Sequence, residues 1–277
     1  MNSWLRQLTG VIRLEWKKTF LSRRGWWVYL LALAPVGLTL MHSIVMERLQ
    51  ARGRLGHNVF QDTQGFAVMF EMYFLRLGIF FGCMGIFSNL FRGEMLEKTF
   101  HYYLLTPMRR ELLVAGKYLS GLVVALVLFV ASTGLSFWLL GHHHGAAWTE
   151  FFSHGAGYSQ MGWYMVVAAL GCIGYGAVFL VAGLFIRNPM IPAAVVMVWE
   201  NLNAFLPSLL KKFSVIFYLK SLSPVQVTGA PSALSALITD ADPAPAWLAI
   251  PGLILVSMLI LGYAAWSARR AEISYGE

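Results

Sequence analysis

Glu71, Arg76 and Glu200 lie inside long apolar runs, where an ionised side chain needs either a partner or a wet cavity. Placing Arg, Lys or Asp at the centre of a membrane helix costs about 2.5–3.5 kcal/mol, so such groups line a polar pathway or lock helices together. Glu71 and Arg76 stand five positions apart, about 140° round an α-helix, which places them poorly for pairing with each other. Arg76 and Glu200 each fall about ten residues deep in their runs, near the middle of a bilayer, so a pair between them is geometrically possible. Asn201 and Asn203 add polar atoms beside Glu200, either as pathway lining or as hydrogen-bonding glue between helices.

A second group is His142, His143, His144 and His154, clustered in one stretch between apolar runs. Imidazoles bind copper or zinc. Adjacent histidines on a solvated loop nevertheless do not fix the ligand geometry that a dedicated site needs, and no metal site is expected. No Ser-His-Asp, Cys-His or paired-carboxylate arrangement stands out as an active site, so an enzyme is poorly supported. A phosphate loop requires G-x-x-x-x-G-K-[ST], and the nearest string, residues 111–118, lacks the first Gly and the final Ser or Thr. The chain is therefore expected to bind no cofactor of its own. ATP and its Mg2+, if used, belong to another chain.

The elements that must carry these residues are membrane helices. Apolar residues make up 58% of the chain and charged residues 12%, against about 45–50% and about 25% in soluble domains. A bilayer needs about 20 apolar residues per crossing helix. Six stretches qualify: 26–46, 66–90, 114–140, 162–186, 190–210 and 247–268. The first has spanning length and no cleavage site, so it is read as a retained anchor. Cys83 and Cys172 fall inside the second and fourth stretches and are expected to be packing thiols.

With six spans, both termini share one side. That side collects 14 Lys and Arg: Arg6, Arg13, Lys17, Lys18, Arg23, Arg24, Arg92, Lys98, Arg109, Arg110, Lys117, Arg187, Arg269 and Arg270. The other side holds 6, namely Arg48, Arg52, Arg54, Lys211, Lys212 and Lys220. The positive-inside rule then places both termini in the cytoplasm. Topology and anionic lipid account for the net charge of +8, with no nucleic acid required. In residues 1–25, Trp4, Leu8, Val11, Ile12, Trp16 and Phe20 recur at helical spacing opposite Arg6, Arg13, Lys17 and Arg24, which predicts an amphipathic helix at the membrane interface. The expected fold is an all-α integral membrane domain spanning the whole chain, 1–277. It comprises the interfacial helix, six transmembrane helices over 26–268, a short cytoplasmic coupling helix and a cytoplasmic tail, 269–277.

The coupling helix is read from residues 91–121, FRGEMLEKTFHYYLLTPMRRELLVAGKYLSG. Glu94, Glu97 and Lys98 form a charged turn; Thr106 and Pro107 supply an N-cap residue and a Pro at the first helical position. A short helix is expected from Pro107, with Met108 in its first turn, Arg109, Arg110 and Glu111 projecting to the cytosol, and Lys117 marking re-entry into the membrane. This segment resembles the ABC-2 family of exporter permeases, in which a charged turn, a Leu-rich stretch, a Pro-x-x-Arg turn and a Gly-Lys precede the third span. Pro107, Met108, Arg109, Arg110, Gly116 and Lys117 match that pattern, while Lys98, Thr99 and Phe100 stand where the family often has Gly-Thr. Leu222, Ser223 and Pro224 resemble the apolar-Ser-Pro element before the family's sixth span.

The resemblance implies a permease subunit in the cell membrane, such as a bacterial inner membrane, pairing with a second permease copy or paralogue and with cytoplasmic ABC ATPase subunits that drive substrate outward. Its second and fifth spans would flank the pathway. Two alternatives remain open at this point: a membrane subunit that relays ATPase motion to an extracytoplasmic partner, and a self-contained secondary transporter. The outer segments 47–65, 141–161 and 211–246 are short for a folded domain, which weighs against the first. A secondary transporter would need inverted repeats and broken helices, and no such symmetry is visible.

Overall fold

A computed structural model describes residues 9–13, 15, 25–53, 58–96, 110–186, 188, 190–205, 207–212, 214–227 and 243–270. Among the described residues the regular structure is entirely helical. The helices are α1 (Trp26–Ala51), α2 (Val59–Met69), α3 (Phe80–Leu96), α4 (Arg110–Leu140), α5 (Ala146–Ser153), α6 (Gly157–Phe185), α7 (Met190–Leu202), α8 (Ser208–Lys211), α9 (Val215–Ser221) and α10 (Ala246–Arg270). A π-helical stretch, Phe70–Ile79, joins α2 to α3 without interruption.

Among the described residues, five helical segments are long and apolar enough to cross a membrane: Trp26–Ala51, Val59–Gly93, Arg110–His144, Gly157–Phe185 and Ala246–Ala268. The expected sixth span, 190–210, is not one continuous helix. α7 stops after 13 residues, about 20 Å at 1.5 Å per residue, and is followed by a 3-10 turn at Asn203–Phe205 and the four-residue α8. The physical reason lies in Pro207, which has no N–H to offer a continuing helix, and in Asn201 and Asn203, whose side chains bond backbone carbonyls. The run read as unbroken because it is apolar throughout.

Contacts at the helix ends set the topology. The start of α1 packs on α3 through Trp27 and Gly85, and Arg110 at the start of α4 donates from Nη1 to the carbonyl of Ala268 near the end of α10 (3.1 Å). At the other end, His42 late in α1, Asp62 at the start of α2 and His143 just beyond α4 meet. There too Ser221 closes α9 beside the residues leading into α10, accepting the N–H of Ala244 on its Oγ (3.1 Å). Residues 190–221 therefore travel from one end of the bundle to the other in two pieces. α7 has 13 residues and α9 seven, about 20 Å and about 10 Å of helix.

The Val59–Gly93 and Gly157–Phe185 segments are central, with 72% and 67% of their apolar windows buried, against 22% for Ala246–Ala268. α1 and α10 instead turn Leu30, Leu33, Met41, Leu255, Met258 and Leu259 outward, as lipid-facing helices do. The central pair packs at backbone contact: a Cβ on Gly183 would lie 2.7 Å from both Cα and O of Ser88. Small residues serve this way between membrane helices. Cys83 and Cys172 are unpaired and buried in the same interface, Cys83 Sγ lying 3.9 Å from the Cys172 carbonyl.

Pro35 sits within α1 and cannot donate to the carbonyl of Leu31. The Tyr73 hydroxyl donates to that carbonyl instead (3.1 Å), and Ser132 Oγ donates to the neighbouring Ala32 carbonyl. Two helices thus repair the backbone of a third, as lipid-buried carbonyls require.

Gly183→Ala is expected to destabilise the chain by about 1–3 kcal/mol, since the added methyl meets backbone that cannot rotate away. Gly162→Ala, also helical but with open space at its Cβ, is expected to be neutral or slightly stabilising. Denaturant titration in detergent micelles compares the two.

Candidate functional site

The ionisable residues of the membrane interior gather around the gap between α7 and α9. Glu200, buried near the end of α7, accepts the backbone N–H groups of Val215 and Ile216 (both 3.1 Å) and the hydroxyl of Ser214. These are the orphan donors of α9's first turn, so a carboxylate from one piece of the broken span caps the next. Asn203 Nδ2 donates to the Lys211 carbonyl (3.2 Å), closing the excursion between them.

Arg76 reaches the same break. Its Nη1 donates to Oδ1 of Asn201 (2.8 Å), so the guanidinium meets the residue next to Glu200, whose carboxylate is committed to α9. Glu71 pairs with Lys220 at the far end of α9 (2.8 Å). The α-helical phase expected for Glu71 and Arg76 is replaced by that of the π-helix. Its i→i+5 bonding makes residues five apart neighbours on one side, and both side chains face the broken span. α9 is therefore held at its N-terminus by Glu200 and at its C-terminal end through Lys220. The arrangement is partly open: Arg76 is half-buried, while Asn201 and Lys212 are exposed at mid-bundle depth.

Of the coupling residues named from the sequence, Glu97, Thr106, Pro107, Met108 and Arg109 lie outside the described residues, as does the side chain of Glu94, which falls in the last turn of α3. Arg110 and Glu111 open α4, which runs unbroken for 31 residues, so no boundary separates them from the spanning helix. Leu112 to Ala115 are residues that propagate a helix readily, and nothing there stops it. The interfacial helix expected over 1–25 is described only at residues 9–13, 15 and 25, where 9–13 and 15 are helical and Val11 and Glu15 are buried.

Lys117 does not face solvent. Its side chain is fully buried, with Nζ 2.6 Å from Glu15 Oε1, 2.7 Å from the Leu90 carbonyl and 5.3 Å from the centre of the Phe91 ring. One ammonium thus joins the N-terminal helix, the end of α3 and the beginning of α4. The sequence marks Lys117 as a charge at a membrane boundary, and its partner 102 positions away carries no signal that links the two.

The histidines separate. His142 is exposed, its ring tilted against Trp138 with centroids 5.5 Å apart, and His154 Nδ1 lies 2.9 Å from Ser153 Oγ. The side chains of His143 and His144 are buried against Asp62, and the half-buried His42, a residue the sequence did not single out, meets the same carboxylate.

A family profile described as ABC-2 family transporter protein matches residues 11–203. No curated protein matches the chain. The match takes in Glu15, the π-helical stretch, Lys117 and the first half of the broken span.

Lys117→Met is expected to cost about 3–5 kcal/mol, because it breaks a buried ion pair with Glu15 and removes the donor to the Leu90 carbonyl. Lys117→Met combined with Glu15→Leu is expected to recover much of that loss. Thermal unfolding of the single and double variants in detergent measures both.

Proposed function

Because the chain belongs to the ABC-2 transporter family and is a membrane permease of the ABC type, we propose that it is one half of an exporter pathway coupled to a separate cytoplasmic ATPase. The observation that carries this reading is the partly exposed Arg76–Asn201 bridge at mid-bundle depth. A guanidinium there is too costly to face hydrocarbon, so the surface it occupies turns toward water or protein. A second copy or a paralogue facing it encloses a polar route, lined by Arg76, Asn201 and the break between α7 and α9. A broken helix beside a polar cavity is how membrane proteins accommodate irregular backbone at depth.

The ATPase docks at the end of the bundle that carries the start of α1, the end of α3 and the start of α4. The excess of Lys and Arg at this end favours the cytoplasm for it, with both termini there and the N-terminal helix at the interface. Residues 97–109 form the docking segment, with Arg109 as a charge-assisted donor to the partner. Lys117 and Arg110 tie the root of α4 to Glu15, α3 and α10, so force applied to the segment moves several helices together. Closure of the ATPases, which hold ATP and Mg2+, then drives substrate outward.

The chain alone is expected to hydrolyse no ATP. When reconstituted with its partner ABC ATPase, Pro107→Ala combined with Arg109→Ala is expected to insert normally and to lose both co-purification and stimulation of ATPase activity. Undiminished binding and stimulation in that double variant would contradict the coupling assignment.

A further inference from the structure

We infer that His42, Asp62 and His143 form a binding site for one divalent transition-metal ion of the zinc class, stapling together the ends of α1, α2 and α4 that lie opposite the docking end. One ligand atom from each of the three residues falls within 4.8 Å of the others. His42 Nε2 is 3.5 Å from Asp62 Oδ1, and His143 Nε2 is 3.3 Å from Asp62 Oδ2. Tetrahedral zinc with bonds of about 2.0–2.1 Å holds its ligand atoms roughly 3.3 Å apart, so the spacing is close to that of a loaded site.

The hydrogen bonding leaves these nitrogens waiting for a cation. Nε2 of His42 and Nε2 of His143 are both buried and have no hydrogen-bond partner. His143 Nδ1 lies 3.1 Å from the Leu140 carbonyl, which can only accept, so Nδ1 carries the proton and neutral His143 presents an Nε2 lone pair. That lone pair faces a carboxylate oxygen. Two acceptors at such a distance repel unless a positive charge sits between them. A carbonyl that fixes the tautomer of a ligating histidine is the usual outer support of a metal site. His144 supplies a second support, its Nε2 donating to Asp62 Oδ2 at 2.8 Å and orienting the carboxylate.

The surrounding backbone holds these residues in place. A reciprocal capping box between Asn58 and Gln61 fixes the first turn of α2 and with it Asp62. The histidine turn is bounded by Gly145, whose φ of +55° suits glycine. It is bounded on the other side by Gly141, where a Cβ would lie 2.4 Å from the Trp148 ring. Trp148 in turn donates its indole N–H to the Trp138 carbonyl (3.2 Å). Two imidazoles and one carboxylate, with a fourth position for water, suit zinc, nickel or copper(II) better than magnesium or calcium, which prefer all-oxygen shells. The ring planes of His42 and His143 stand at 74° to each other, so the two nitrogens approach from different directions.

The test uses the full chain in lipid nanodiscs, stripped of metal and titrated with Zn2+ against a chromophoric chelator, with Co2+ absorption as a probe of coordination. One ion per chain is expected, with the intense visible bands of tetrahedral Co2+. His42→Gln, Asp62→Asn and His143→Gln are each expected to weaken Zn2+ binding at least about tenfold. His142→Gln and His154→Gln are expected to leave it unchanged. If Asp62→Asn does not elute as a monodisperse species, the two histidine variants decide. Absence of stoichiometric Zn2+ binding, or binding that survives His42→Gln and His143→Gln and falls with His142→Gln, would overturn the site.

Discussion

Inside a hydrocarbon layer no solvent is at hand to replace a missing hydrogen bond, and each backbone or charged group left without a partner there costs several kcal/mol. Most of the distinctive contacts of this chain answer that constraint. Pro35 releases the Leu31 carbonyl, and Tyr73 supplies the lost donor. The span that begins at Met190 breaks after Leu202, and Glu200 takes up the amide groups that the break exposes on α9. In each case the repair comes from a residue distant in sequence, so the same contact that satisfies a polar atom also fixes one helix against another.

The polar contacts divide the bundle into three levels. At one end, Lys117 and Arg110 gather Glu15, the Leu90 carbonyl and the Ala268 carbonyl around the root of α4. At the other, Asp62 gathers histidines from α1 and from the turn beyond α4. Between them, Arg76 and Asn201 meet at a surface that the single chain leaves partly open. Polar ties at both ends with a partly exposed polar middle fit the proposed role of a permease half, in which the ends would transmit force and the middle would meet a partner. The break after Leu202 lies at that same level, where α7 and α9 are joined by side-chain bonds instead of a continuous ladder.

Five of the six spans expected from the sequence were legible from composition, because a bilayer forces long apolar runs whatever their neighbours. The break within 190–210 was less legible: the run is apolar, and Pro207, Asn201 and Asn203 gain their meaning only once Glu200 is seen to cap α9. Glu71 and Arg76 were recognisable as expensive residues, yet their relative direction depended on a π-helical phase that periodicity does not announce. Lys117 read as a boundary charge because its partner stands 102 positions upstream. The histidine cluster was visible as a composition, while the pairing that gives it geometry runs through His42 and Asp62, an isolated histidine and an aspartate in separate segments. What sequence patterns conveyed was which residues were unusual. Which of them meet was set by tertiary contacts.

The openness of the middle level can be measured directly. Spin labels at Lys212→Cys, in the break, and Leu259→Cys, on the outward face of α10, report whether a water-soluble nickel relaxing agent or dissolved oxygen collides with them in a lipid bilayer. Lys212→Cys in the assembled complex is expected to be nickel-accessible, while Leu259→Cys is oxygen-accessible and shielded from nickel. An equally oxygen-rich, nickel-poor signal at both positions would mean that the broken span faces lipid, and would contradict a polar pathway at that level.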